Sequence, residues 1–158
     1  MSVRVPILLL AGALAACSGE AEPTPSGLDA DPWAVLDEAT LRARLAEARR
    51  RAEASDRRVL LEFVAAWCAD CREVVRLSRE EPARSVLEER YVTVYVEVGR
   101  FDRHRALIEA HGVDRIATLA VLDPTSGERV AKTTLEPISG DARGLTSEEL
   151  AAWLRNPR

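Results

Sequence analysis

Residues 58–64, RVLLEFV, form a run of strand length that is apolar except at Arg58 and Glu62. A strand with one wet face would alternate apolar and polar residues. A run this continuous marks a strand covered on both faces, as in the middle of a sheet flanked by helices. The neighbouring segments supply that cover. Leu36, Leu41, Leu45, Ala48 and Ala52 recur at roughly helical spacing behind Asp31-Pro32, which predicts a helix over much of 33–54 with Asp31 as its N-cap. Val74, Val75 and Leu77 in REVVRLSRE (72–80) predict a second helix, interrupted at Pro82 and resumed in EPARSVLEER (81–90). YVTVYVEV (91–98) is β-branched and aromatic and reads as a strand, and DRHRALIEAHG (102–112) as a helix stopped by Gly112. TLAVLD (118–123) and ERVAKTTL (128–135) flank the turn PTSG as an antiparallel hairpin. Thr146 to Glu149, TSEE, forms a capping box for a last helix bearing Leu150, Trp153 and Leu154. The order is helix, strand, helix, strand, helix, strand, strand, helix. It specifies an α/β fold with a mixed sheet of about four strands and helices on both faces.

The buried strand runs directly into AAWCADC (65–71). By itself a Cys-X-X-Cys can be a redox pair, half of a zinc site or a structural staple. At the start of a helix, unpaired N–H groups and the positive end of the macrodipole favour a thiolate. In such motifs the first thiol falls from a reference near ~8.5 to roughly 3.5–7.5. Cys68 is placed to be the nucleophile, and Cys71, one turn on, to be the resolving thiol. The intervening Ala69 and Asp70 tune the pair. A carboxylate roughly 7 Å from a thiolate repels it by about 0.6–2.4 kcal/mol at an effective dielectric of ~80 to ~20. That weakens the reduced form and favours electron donation. The alternative reading of Asp70 is a solvated residue that favours the helix start and leaves the redox chemistry unchanged.

The first residues carry Arg4, then an apolar run from Val5 to Ala16, then small residues, which is the layout of a secretory signal over 1–16. The run is too short to span a bilayer, which takes ~20 residues. Leu14-Ala15-Ala16-Cys17 resembles the lipobox of bacterial lipoproteins, in which the cysteine becomes the lipidated first residue of the mature chain. Residues 17–31, rich in Gly, Pro, Ser and acids, read as a flexible tether with a reach of roughly 20 Å. This predicts an exported protein anchored to a bacterial membrane, facing the periplasm, with one domain over 32–158. Capping Cys17 leaves two thiols in a compartment where disulfides persist. With 47% hydrophobic and 30% charged residues and a net charge of -4, the chain has an ordinary globular composition. The basic stretch at 42–51 alternates with Glu and Ala at helical spacing, as a solvated helix face does, and no nucleic-acid partner is expected.

The order of elements with Trp-Cys-X-X-Cys at the end of the first central strand resembles the thioredoxin fold over about residues 40–155. VLLEFVAAWCADCREV and HGVDRIATLAVLDPTSGERV resemble exported bacterial members most, among them periplasmic reductase domains fused to transmembrane electron carriers. The resemblance implies a monomeric thiol:disulfide oxidoreductase acting on protein thiols and disulfides. Its only redox group would be the Cys68–Cys71 disulfide, recharged by an upstream redox protein. It also implies a docking role for Trp67, whose other reading is a core aromatic. Glu62 stands where thioredoxins carry a buried acid serving the resolving thiol; the alternative is a glutamate at an exposed edge. Ile116, Ala117 and Thr118 match the family's substrate-binding segment, but Ala117 replaces its cis-proline. Because a cis bond before a non-proline residue costs ~2.5–4 kcal/mol, the Ile116-Ala117 peptide is expected to be trans. The family proline also shields the sulfurs from metals, so its loss leaves a second reading, a binding module or metallochaperone holding a soft ion at Cys68 and Cys71. His104 and His111 are read as ordinary helix residues, with no metal site assigned.

Overall fold

The computed structural model describes residues 27–135 and 144–158. The signal sequence, Cys17 and the tether up to residue 26 lie outside them. Among the described residues, contacts to the domain precede its expected start: Gly27 N–H donates to Thr93 O at 3.1 Å, and Ala30 is buried. The first helix covers much of the expected span, but its N-cap is not Asp31. Helix α1 is Glu38–Ala54, and its N-cap is Asp37, whose carboxylate accepts the Thr40 N–H at 2.7 Å. Asp31 instead accepts the Trp33 N–H at 3.0 Å, closing a local turn that competes with helix initiation.

Strand β1 is Arg58–Val64, the span expected from its apolar run. Helices α2 (Ala69–Ser78) and α3 (Ala83–Arg90) follow, separated at Pro82, which is preceded by a cis Glu81-Pro82 peptide. Strand β2 is Tyr91–Glu97 and α4 is Arg105–Ala110. The hairpin is β3 (Thr118–Leu122) with β4 (Arg129–Thr133), and α5 is Ser147–Arg155 behind the anticipated capping box of Thr146 and Glu149.

The sheet order is β2-β1-β3-β4, with β1 parallel to β2 and antiparallel to β3, and β3 antiparallel to β4. The central position of β1 explains its continuous apolar pattern, since alternate residues feed two cores. Leu60 and Val64 join α2, α3 and α5 in one; Val59, Leu61 and Phe63 join α1 and α4 in the other. The first core is tied across its far side by polar bonds. Ser147 Oγ donates to Glu80 O at 3.0 Å and accepts the Ala83 N–H at 3.0 Å, while Tyr91 OH donates to Leu154 O at 2.6 Å. These bonds fix α5 over the α2–α3 junction and hold α2 against the sheet. Among the described residues no helix is long and apolar enough to cross a membrane.

Both histidines flank α4 rather than belonging to its body, which corrects their reading as ordinary helix residues. His104 is the N-cap, buried and in the left-handed region at φ 53°, with Nδ1 2.8 Å from Glu38 Oε1. His111 is the C-cap, buried beside the ring of Phe63; burial and then the charge of Arg129 hold it below the usual imidazole range. A six-residue helix is too short to include two residues seven apart.

Candidate active site

The site is built where β1 hands over to α2. Cys68 N–H bonds back to Ala65 O at 3.0 Å, turning the chain sharply after the last sheet residue. Arg72 holds the outside of the turn by donating to Ala66 O at 2.7 Å. Cys68 thereby becomes the N-cap of α2, and its Sγ accepts the Cys71 N–H at 3.1 Å. Cys68 and Cys71 form a disulfide with Cα atoms 5.3 Å apart. Cys71 is fully buried and Cys68 retains 6% exposure, so the first sulfur is the one that a second disulfide can reach. Ala69 is exposed and Asp70 part-exposed on the first turn of α2.

Trp67 is not a core aromatic. It is 54% exposed, and its indole N–H donates to Gly99 O at 2.8 Å, laying the ring between the cysteine turn and the loop after β2. That loop holds its shape through several contacts. Arg103 pairs with Glu97, Gly99 N–H reaches Glu97 Oε1 at 3.1 Å, and Arg100 N–H reaches Asp102 Oδ1 at 2.8 Å. Gly99 has φ +60°, which favours glycine, and a Cβ there would lie 2.2 Å from Asp102 Oδ1 and displace the carboxylate that holds Arg100 N–H. Sequence reading missed Gly99 because a backbone carbonyl has no side-chain signature.

Across from this turn, Ala117 is buried in the same core cluster as Cys68 and Cys71, with Ile116 partly buried against it. The Ile116-Ala117 peptide is cis, which corrects the expectation of a trans bond. That expectation rested on the local preference of a non-proline peptide. In the folded chain the segment is fixed from outside: Thr118 pairs with Phe63 of β1, and its hydroxyl donates to Arg115 O at 2.7 Å.

Glu62 is not at an exposed edge. It lies on the central strand, facing the core that holds both cysteines, and is 1% exposed. Burial pushes its carboxyl up to about 8, against smaller opposing effects of Arg79 and Ser78. Ser78 is near enough to favour the carboxylate, yet no hydrogen bond of ordinary geometry reaches either oxygen. Among the described residues no group of three or more His, Cys, Asp or Glu side chains converges as metal ligands would, so the soft-ion reading gains no further ligand.

A Cys-X-X-Cys disulfide capping a helix beside a buried carboxyl, on a sheet covered on both faces, defines a thiol:disulfide oxidoreductase. Residues 40–124 match the family model described as thioredoxin-like, and the chain belongs to that family. Solved structures share the fold. The disulphide isomerase from Xylella fastidiosa Temecula1 aligns with a TM-score of 0.67 at 22% identity, over 78% of this chain and 95% of that one. The oxidised C-terminal domain of DsbD from Neisseria meningitidis aligns at 0.58 and 21% identity, covering 79% and 100% respectively. Its reduced form gives 0.56 and 24%, covering 77% and 97%. No curated protein sequence matches.

The state of Glu62 couples to stability. Its proton is held more tightly in the folded chain than in the unfolded one. The stability this contributes is therefore complete below the ordinary carboxyl value of 4.5 and is lost as pH rises towards about 8. Glu62→Gln, always neutral, lacks this dependence. In urea denaturation of the oxidised protein, the stability of Glu62→Gln relative to wild type should rise between pH 5 and pH 8.5. A pH-independent difference would mean that the carboxyl titrates alike in both states.

Proposed function

We propose that the protein is an exported, membrane-tethered reductase that passes electrons from a dithiol protein to disulfides of protein substrates. The observation carrying this reading is Cys68 as the N-cap of α2, with a backbone N–H already directed at its sulfur. Once the pair is reduced, that N–H and the helix's positive end favour the Cys68 thiolate. The thiolate attacks one sulfur of the substrate disulfide, and the other leaves as a thiolate that takes a proton from water. Cys71 gives its proton to the Glu62 carboxylate and attacks Cys68 Sγ. The mixed disulfide breaks, the second substrate thiolate leaves, and the Cys68–Cys71 disulfide reforms. Two electrons have moved to the substrate, and a dithiol donor protein restores them by the reverse exchanges.

Exposed Trp67 and the backbone of the 116–118 segment, where Ile116 is partly buried and Ala117 and Thr118 are buried, serve as the docking rim for extended substrate chain. The names of the aligned structures, a disulphide isomerase and a DsbD domain, agree with protein thiols as the substrate class. A carboxyl pushed to about 8 is matched to proton exchange near neutrality, which suits Glu62 as the base for Cys71. Asp70 sets the direction, because its charge disfavours the neighbouring thiolate and so makes the dithiol a better donor. The signal-like N-terminus and Cys17 support lipid anchoring, with the following residues holding the domain off the membrane. The protein is expected to act as a monomer without an added cofactor.

Three outcomes are expected. Cys68→Ser abolishes reduction of a protein disulfide in the presence of a chemical reductant, while Cys71→Ser accumulates a mixed disulfide visible on a non-reducing gel; retained turnover in Cys68→Ser would remove the enzyme reading. Asp70→Asn makes the reduction potential less negative by about 10–50 mV, the equivalent of the repulsion removed, as measured by equilibration with glutathione. Mass spectrometry of the mature protein finds Cys17 acylated and N-terminal, and Cys17→Ser releases the protein from membranes; an unmodified Cys17 rules out the anchor.

A further inference from the structure

The carboxyl of Glu62 has an unused neighbour. β1 and β2 are parallel and in register, and Glu62 pairs with Tyr95. Neighbouring strands lie about 4.8 Å apart, and paired residues send their side chains to the same face, here the face bearing Cys68 and Cys71. Tyr95 is 5% exposed, and its hydroxyl, like both oxygens of Glu62, is buried without a hydrogen bond of ordinary geometry among the described residues, although Arg79 is near enough to act on it and the Glu62 charge is felt there too. Two adjacent orphaned polar groups in one core are costly, since each forfeits its hydration. Each offers what the other lacks. A carboxylate needs a donor and a carboxylic acid needs an acceptor, and a phenol serves as either.

We propose that Tyr95 is the positioning residue for Glu62: its hydroxyl is the hydrogen-bond partner of the Glu62 carboxyl during thiol exchange, donating to the carboxylate and accepting from the acid. This rests on Glu62 being the proton acceptor for Cys71. The geometry gives that carboxyl a reason to need positioning. Cys71 and Ser78 share one stripe of α2 but lie two turns apart, roughly 10 Å along its axis. The carboxyl feels both Ser78 and Arg79 near the C-terminal end of the helix. An untethered glutamate can therefore swing along the helix, whereas a partner paired with it on the adjacent strand limits that swing.

The other charged groups around the pair are accounted for. Arg79, the exposed C-cap of α2, donates to Leu28 O at 3.5 Å and is near enough to the Tyr95 hydroxyl to favour its ionised form by hydrogen bonding and charge, whereas Asp29 of the N-terminal segment disfavours it. Glu97, two residues along β2, is taken by Arg103 and the Gly99 N–H. From β3, α3 and α5 the cluster receives apolar residues such as Leu119, Leu87 and Leu150. Tyr95 is therefore the neutral hydroxyl that the sheet register itself delivers to Glu62.

The test follows the two thiols released when the reduced full-length protein reacts with a chromogenic aromatic disulfide in stopped flow. The first release reports attack by Cys68, and the second reports resolution by Cys71. Tyr95→Phe keeps the ring and its packing. It should leave the first release unchanged, shift the pH limb of the second to higher pH by at least about half a unit, and slow it about threefold below the limb. Glu62→Gln should remove that limb altogether. If Glu62→Gln removes the limb and Tyr95→Phe leaves it unmoved, Tyr95 is a packing residue and the inference fails while the role of Glu62 stands. If Glu62→Gln leaves the second release unchanged, the role of Glu62 fails and the inference fails with it. An infrared shift of the Glu62 acid carbonyl band in Tyr95→Phe supports the direct bond, and an unshifted band counts against it.

Discussion

The short bond from Cys68 N–H to Ala65 O governs the chemistry of this protein. It bends the chain from a buried strand into a helix within one turn, so that the first residue able to cap that helix is a cysteine. A strand is rigid because its neighbours hold it on both sides, and a helix N-terminus is electropositive because its first N–H groups lack internal acceptors. Joining them this abruptly fixes a sulfur at a point of positive potential without spending a charged side chain. The disulfide partner follows one turn later, with its own N–H on the first sulfur.

The rest of the molecule keeps that junction in place. Phe63 of β1 pairs with Thr118 of β3, which brings the Ile116-Ala117 peptide up to the cysteine turn. Val98 N–H to Val64 O, at 2.9 Å, carries the pairing of β1 and β2 past the sheet and sets the loop whose Gly99 carbonyl receives Trp67. Helix α5, held through Ser147 and Tyr91, backs the first core and denies α2 room to tilt. Placing a carboxyl inside that core is unfavourable for its charged form. The same burial moves its proton exchange from acid towards neutral pH.

Much of this was legible in the chain. β1 was readable to the residue because burial on both faces makes the run apolar nearly end to end, so the strand stops where the run stops. The capping box at Thr146 was readable because it is a local bond between residues three apart. The start of α1 was not, since Asp31 and Asp37 are both competent caps and only packing of the segment between them chooses. Nor was the cis bond at Ala117, because local preference points the other way and the constraints come from β1 and from Arg115. The burial of Glu62 stood as one of two readings until the order of strands put β1 in the centre.

The sequence by itself determined the α/β order, the strand-to-helix junction and the presence of a dithiol at a helix start, because each is written in residues close together along the chain. The tertiary structure alone decided which groups surround that dithiol. Tyr95 and Ala117 join its core and Gly99 holds the neighbouring Trp67, all from strands and loops remote in sequence, through sheet pairing and a backbone carbonyl that no residue type announces. The chemistry of the first sulfur is thus a local property of the chain. The core that buries the second is a property of strand order and register, which exist only after folding.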